Sequence, residues 1–267
     1  MLDLNSDLLL KVSNIAIQAG SEIMKYYPAD NEIITKVDNS PLTQADLSSN
    51  NLIIKELRKI NQTTLILSEE SLVDWVERKQ WNQYWLIDPL DGTKEFINKN
   101  GEFTVNIALI EQHKPVLGII YVPTKSLLYF AKKNYGAFKI FSSSQLVNLD
   151  EAQSISISQN QINNNIRIIG SRSHSNDIFK SWIKERFNKY NLITKGSSIK
   201  FCEIAEGKAD IYPRFGPTSE WDIAAGHIIL EEAGGFLKDI GGNNILYNNK
   251  ESLINPEFIA TNNLDFI

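Results

Sequence analysis

The chain holds one cysteine, Cys202, and three histidines among its 267 residues. A single cysteine closes no disulfide within the chain, and one Cys with three His cannot build a Cys–His zinc cage. Cys202 reads as a small core residue in a reducing compartment. His227 lies five residues beyond Asp222, so a helix would turn it to a different face. It reads as a packing or surface residue, and His113 as a solvated turn residue. Positive charge is also scarce: 27 Lys and Arg stand against 32 Asp and Glu, a net charge of −5. That excludes the broad basic face of a nucleic-acid polymer binder. It admits a small phosphorylated substrate, provided that a bound cation supplies positive charge locally. No apolar run approaches the length of a transmembrane helix. The N-terminus carries Asp3 and Asp7 and lacks the basic region of a signal peptide. In such a chain the sequon at Asn61-Gln62-Thr63 reads as coincidence.

What remains suits an ordinary globular protein, long enough for one large domain or two small ones. Residues 6–27 carry Leu8, Val12, Ile15, Ala19 and Ile23 at helical spacing, with too little Lys and Arg on the polar face for a membrane-surface helix. A strand is expected over 33–37, a loop over 38–42, and a helix from Thr43 to about residue 59, with Asp46 in capping-box position. Short strands follow over 64–67 and 84–87, then 103–110, 116–122, 127–131 and 137–141. This half reads as strands in sequence with helices on one side. The polar stretch 142–165 marks the boundary between a sub-domain over 1–141 and a second over 142–267. The second alternates strand and helix, with a helix over 220–233 stopped by Gly234-Gly235.

Chemistry concentrates at Trp85-Leu86-Ile87-Asp88-Pro89-Leu90-Asp91-Gly92-Thr93. A buried strand should end at Pro89, which cannot donate to a sheet ladder. Asp91-Gly92 signals a turn, and Thr93 opens a short helical pattern. Two carboxylates thus face a helix N-terminus; carboxylates gather hard cations and helix N-termini attract phosphate. The plain alternative is a capped turn without chemistry. Glu69 ends the preceding strand, and Asp46 and Asp222 each sit in the first turn of a helix. Singly, these three read as capping acids or a solvated charge. Together, Glu69, Asp88 and Asp91 can converge at the C-terminal edge of one sheet, where catalytic sites gather. Two Mg²⁺ ions about 4 Å apart in such an oxygen-rich site can hold an attacking water and a leaving oxygen in line.

These strings resemble the signature of the inositol monophosphatase superfamily of Mg²⁺-dependent, lithium-sensitive phosphatases. They are Glu69-Glu70, Asp88-Pro89-Leu90-Asp91-Gly92-Thr93 and Trp221-Asp222. Thr93-Lys94-Glu95-Phe96, Ser171-Arg172-Ser173-His174, and Gly196-Ser197-Ser198 continuing through Tyr212-Pro213-Arg214 to Trp221-Asp222 are similar to its 3'(2'),5'-bisphosphate nucleotidases of the CysQ type. The resemblance spans about residues 33–259 and implies an α/β (α+β) fold, a layered αβαβα sandwich with the metal site between two sub-domains. It implies one Mg²⁺ on Glu69, Asp88 and the Leu90 carbonyl, a second on Asp88, Asp91 and Asp222, and a third, weaker ion near Glu69. Thr93, oriented by Asp46, would help take a proton from the attacking water, and the N–H groups of Gly92 and Thr93 would bind phosphate. Ser171, Arg172 and His174 would lie near the nucleoside and 5'-phosphate, with Lys195, Ser197 and Lys200 as weaker candidates and Arg214 as brace or ligand contact. The implied reaction is hydrolysis of the 3'-phosphate of adenosine 3',5'-bisphosphate, in sulfur assimilation. The implied location is the cytoplasm, at most peripheral on the cytoplasmic face of the inner membrane; nothing sets an oligomeric state. An inositol monophosphatase or sugar bisphosphatase on the same scaffold is the alternative. A cation- or nucleotide-binding regulator is a third reading, opposed by the complete set of acids with Thr93.

Overall fold

The computed structural model describes residues 2, 4–28, 33–35, 41–158, 165–172 and 177–267. Its elements run α1 (Ser6–Tyr26), β1 (Ile34–Thr35), β2 (Pro41–Leu42), α2 (Gln44–Ile60), β3 (Ile66–Ser68), α3 (Trp75–Arg78), β4 (Gln83–Asp91), α4 (Thr93–Ile97), β5 (Thr104–Glu111), β6 (Lys114–Val122), β7 (Leu127–Lys132), β8 (Gly136–Phe141) and β9 (Gln153–Ile155). There follow β10 (Ile166–Ser171), α5 (Asp177–Arg186), β11 (Tyr190–Lys195), α6 (Ile199–Ala205), β12 (Ile211–Arg214), α7 (Glu220–Glu232), β13 (Phe236–Asp239) and β14 (Phe258–Thr261). Pro41 and Leu42, expected in a loop, pair with Thr35 and Ile34 instead. Residues 36–40 lie outside the described residues. Among the described residues no helix is long and apolar enough to cross a membrane.

β3 to β9 form one sheet in sequence order, with only β3 and β4 parallel. Side chains alternate across it, as a pleated strand demands. Trp85, Ile87, Val105, Ile107 and Leu109 face α1 and α2, packed with Leu9, Val12, Ala16 and Ile53. Tyr84, Leu86, Ala108 and Ile110 face the other way, onto Phe201 and Cys202 of α6 and Ile223, Ala224 and Ile228 of α7. Beneath α6 and α7 lies a second sheet, ordered β11-β10-β12-β14-β13. Its outer face packs Ile166, Ile168 and Ile211 on Phe179 and Ile183 of α5. The layers are helix, sheet, helix, sheet, helix, the expected sandwich.

The first half carries its helices on one side, as expected, and the second half supplies the cover for the other. The polar stretch after residue 141 also holds a strand: Gln153–Ile155 joins the edge of the larger sheet against Ala137–Lys139. Only Ile155 of the three is buried, so no apolar pattern announces it.

α7 runs so close over β6 that a Cβ on Gly118 would collide with Ile228 and lie 2.6 Å from the Ala225 carbonyl oxygen. Gly118→Ala should therefore lower unfolding stability by about 1–3 kcal/mol in a urea titration, as overpacking of a tight core does. An unchanged midpoint would mean that α7 has slack over the sheet.

Candidate active site

β3 and β4 leave the sheet side by side in the same direction. Glu69 follows β3, with its N–H on the Ile87 carbonyl at 3.1 Å, one residue short of Asp88. β4 does not stop at Pro89 but continues to Asp91. Opposite it, Asp88 pairs with Asn106 and Asp91 with Thr104, so three steps on β4 match two on β5. This is a bulge, the one place inside a sheet where a residue lacking an N–H loses no ladder bond. The Pro89 carbonyl takes the Ser49 hydroxyl at 2.7 Å, and the Leu90 N–H folds back on Asp88 Oδ1 at 3.1 Å. The extra residue also decides direction. Asp88 and Asp91 would face opposite sides of a regular strand, yet here both line one cleft. Gly92 then turns the chain at φ 91°, a left-handed angle that costs glycine nothing, and α4 starts at Thr93.

The cleft is lined by Glu69, Asp88, Leu90, Asp91, Gly92, Thr93, Ser171 and Asp222, which brings most of the expected residues together. Asp46 lies behind it, 2% exposed. Its two oxygens divide the work. Oδ2 accepts from the Thr43 N–H at 2.7 Å and hydroxyl at 2.6 Å, closing the capping box of α2. Oδ1 accepts the Thr93 hydroxyl at 3.0 Å. Burial raises the Asp46 carboxyl above its ordinary pKa, against the opposing pull of those hydrogen bonds. Asp222 likewise caps α7, taking the Ser219 N–H on Oδ2 at 2.8 Å.

Electrostatics set this cluster apart from a solvated acidic patch. Burial, then the charges of Glu69, Asp91 and Asp222, push Asp88 well above the carboxylate range. Burial, Asp91 and Glu69 do the same to Asp222. Buried like charges oppose one another at high cost. Oxygen-only donors in that state fit a hard cation that keeps some waters. Among the described residues no three such side chains are yet drawn to one point at ligand distance. Part of the reason is visible at Asp91, whose Oδ2 is taken by the Ser198 N–H at 2.6 Å and the Ser197 hydroxyl at 2.9 Å.

Other expected residues stand differently. Arg172 is absent from the cleft lining and is held in a two-pronged bond to Glu102, at 3.0 Å on each oxygen. Lys195 reaches the same carboxylate at 3.3 Å. His174 lies outside the described residues. His227 is buried, bonded to the Tyr247 hydroxyl at 2.9 Å, and His113 is partly buried against the Tyr247 carbonyl at 2.8 Å. Three cations border the cleft: Lys94, Lys200 and Arg214. Lys200 is buried, donates to the Ser197 carbonyl, and has its pKa lowered by burial to about 8. Arg214 donates to the Pro217 carbonyl at 3.0 Å, while its buried Nε has no partner among the described residues. Thr104 and Asn106 join Ser198 behind Asp91, a role that the sequence alone did not assign to them.

Known proteins are similar to this chain over nearly its whole length. The sequence profile of the Inositol monophosphatase family matches residues 5–264. The chain is 40% identical over 256 residues to the 3'(2'),5'-bisphosphate nucleotidase CysQ of Salmonella typhimurium, spanning 95% of this chain and 99% of that one. It is 42% identical over 259 residues to the CysQ nucleotidase of Buchnera aphidicola, spanning 95% and 93%. The crystal structure of CysQ from Bacteroides thetaiotaomicron matches with a TM-score of 0.86 at 39% identity, over 97% and 99% of the two chains. Carboxylates gathered at a bulged strand end, a threonine held by a buried aspartate and a match over nearly the whole length lead to one assignment: the chain belongs to the inositol monophosphatase family.

Proposed function

We propose that the chain is a Mg²⁺-dependent 3'(2'),5'-bisphosphate nucleotidase that hydrolyses adenosine 3',5'-bisphosphate to AMP and phosphate. The observation that carries this reading is the 40% identity to a CysQ nucleotidase across 95% of the chain. Glu69, Asp88 and the Leu90 carbonyl would hold one ion, and Asp88, Asp91 and Asp222 a second; a third, weaker ion would lie near Glu69. When bound, magnesium neutralises the phosphate and makes a water acidic enough to attack phosphorus. The chain's own residues do the rest. Because the Thr93 hydroxyl gives its hydrogen to Asp46, its lone pairs are turned outward to accept a proton from that water. Burial makes Asp46 a stronger base than an exposed carboxylate. The N–H groups of Gly92 and Thr93 bind the phosphate oxygens, as helix starts do.

A bisphosphate has a second charged group to place; of the cleft's cations Lys94, Lys200 and Arg214, the last two are buried beside the acids. Lys200→Gln should raise KM for the bisphosphate about 10- to 100-fold, the worth of a charge-assisted hydrogen bond, and raise it far less for adenosine 3'-monophosphate. Wild-type KM for the bisphosphate should also climb above pH about 8, where Lys200 loses its proton. Equal effects on both substrates would remove Lys200 from that role.

The reading as a whole is tested by phosphate release with Mg²⁺ from adenosine 3',5'-bisphosphate and inositol 1-phosphate side by side, with and without lithium. Lithium-sensitive preference for the nucleotide is the expected result. Preference for the inositol ester would overturn the substrate while keeping the family.

A further inference from the structure

Glu69 and Asp222 meet in the cleft from segments far apart in the chain. Glu69 opens the connection from β3 to α3, and Asp222 sits in the first turn of α7. Residues 247–255 pass between these two segments and are tied to both. On one side is Arg78, the last residue of α3 and only 2% exposed. Its Nη1 donates to Asn248 Oδ1 at 2.6 Å, its Nε to the Val73 carbonyl at 3.2 Å and its Nη2 to the Glu251 carbonyl. Asn248 Nδ2 donates back to the Arg78 carbonyl, so the two residues pair reciprocally. On the other side is Glu220, the first residue of α7 and 1% exposed. Its two oxygens share the Asn248 N–H at 3.0 and 2.8 Å. Its own N–H donates to the Leu253 carbonyl at 2.9 Å.

None of Arg78, Asn248 and Glu220 lines the cleft. A buried Arg and Glu are costly, and apolar packing of the same volume commonly serves stability as well or better. What a fully bonded guanidinium and carboxylate add is fixed geometry. Asn248 is fully buried with φ 49°, in the left-handed region, where these bonds hold it. The chain from Arg78 to Asn248 to Glu220 is a polar connection joining the segment after Glu69 to the helix start that presents Asp222.

We infer that Arg78, Asn248 and Glu220 form a positioning relay that sets the separation of Glu69 and Asp222, and with it the affinity of the cleft for magnesium. The inference rests on the proposed reading of those two carboxylates as magnesium ligands. Asn248→Gly is the cleaner variant, because glycine accepts the same φ and keeps the N–H on Glu220 while removing both side-chain bonds to Arg78, whose bonds to the Lys250 and Glu251 carbonyls remain. Arg78→Lys keeps the charge and loses the fork.

The test is calorimetric titration of the nucleotide-free protein with Mg²⁺, alongside turnover at graded Mg²⁺. Both variants should bind Mg²⁺ about tenfold more weakly, as loss of a partner behind metal ligands typically does. The half-saturating Mg²⁺ for phosphate release should rise by the same factor, with kcat at saturating Mg²⁺ and KM for the nucleotide within about twofold of wild type. A merely structural role would lower the melting temperature and leave Mg²⁺ affinity unchanged. That outcome, with Asp222→Asn losing Mg²⁺ in the same experiment, overturns the relay and leaves the metal assignment standing. If Asp222→Asn binds Mg²⁺ as wild type does, the metal assignment fails and takes the relay with it.

Discussion

Asp88→Asn should abolish phosphate release and, in protein stripped of divalent cations, raise the melting temperature. Both effects have one cause. Asp88 is 1% exposed and faces Glu69, Asp91 and Asp222, so its charge is a liability until a cation neutralises it. On the proposed reading it would be a ligand shared by both ions and would contribute several kcal/mol of transition-state charge stabilisation, so its loss should cost at least about a thousandfold in kcat. The stability gain should be about 1–2 kcal/mol, or about 2–8 °C. The pH dependence follows from the direction of the shift. The folded-state pKa is raised, so Asp88's favourable contribution is full below its unfolded value and is lost as pH rises through the folded one. The gap between wild type and variant should thus close toward pH about 4 and widen as pH rises from there. Equal melting temperatures at pH 7 in a chelator would show that the cluster is not under electrostatic stress. Turnover within tenfold of wild type would remove Asp88 from the metal site.

Thr93→Val should lower kcat by about a hundred- to ten-thousandfold, the usual range for a group that moves a proton in the transition state, with KM nearly unchanged. Valine keeps the shape and deletes only the hydroxyl that bonds Asp46 Oδ1. Asp46→Asn should fall by a similar factor, with at most about 1 kcal/mol lost from the α2 cap, because an amide oxygen can still serve Thr43. Since the two residues act as a unit, the double variant should be no slower than the worse single one. Losses that multiply would show that Thr93 and Asp46 act independently, and would return Asp46 to the role of a helix cap.

Much of this site is legible in the sequence because its chemistry is local. Asp88, Asp91, Gly92 and Thr93 fall within six residues, since a strand end, a turn and a helix start must follow one another to face two carboxylates toward a phosphate. Sequence logic failed at Pro89, where the rule that proline ends a strand is suspended by a bulge that only the pairing with β5 reveals. It failed at Gln153–Ile155, an edge strand with almost nothing to bury. Nothing in the sequence singles out Arg78 and Glu220, because a buried ion looks no different in a string of letters from a solvated one. Arg172, a cation in a suggestive string, is joined to Glu102 beside the cleft through Nε and Nη2.

The helical cover of the larger sheet has a consequence for how the protein is made. Tyr84, Leu86, Ala108, Ile110, Ile120 and Tyr129 are sealed by α6 and α7, whose residues come some 70 to 140 positions later in the chain. At about 5–20 residues per second, a ribosome needs several seconds to supply that cover after the sheet itself has emerged. During that interval a nascent chain presents a broad apolar surface and no Asp222. It is at once a client for chaperones and an inactive protein, and the four acids do not confront one another until the apolar face that drives folding is ready to close over them.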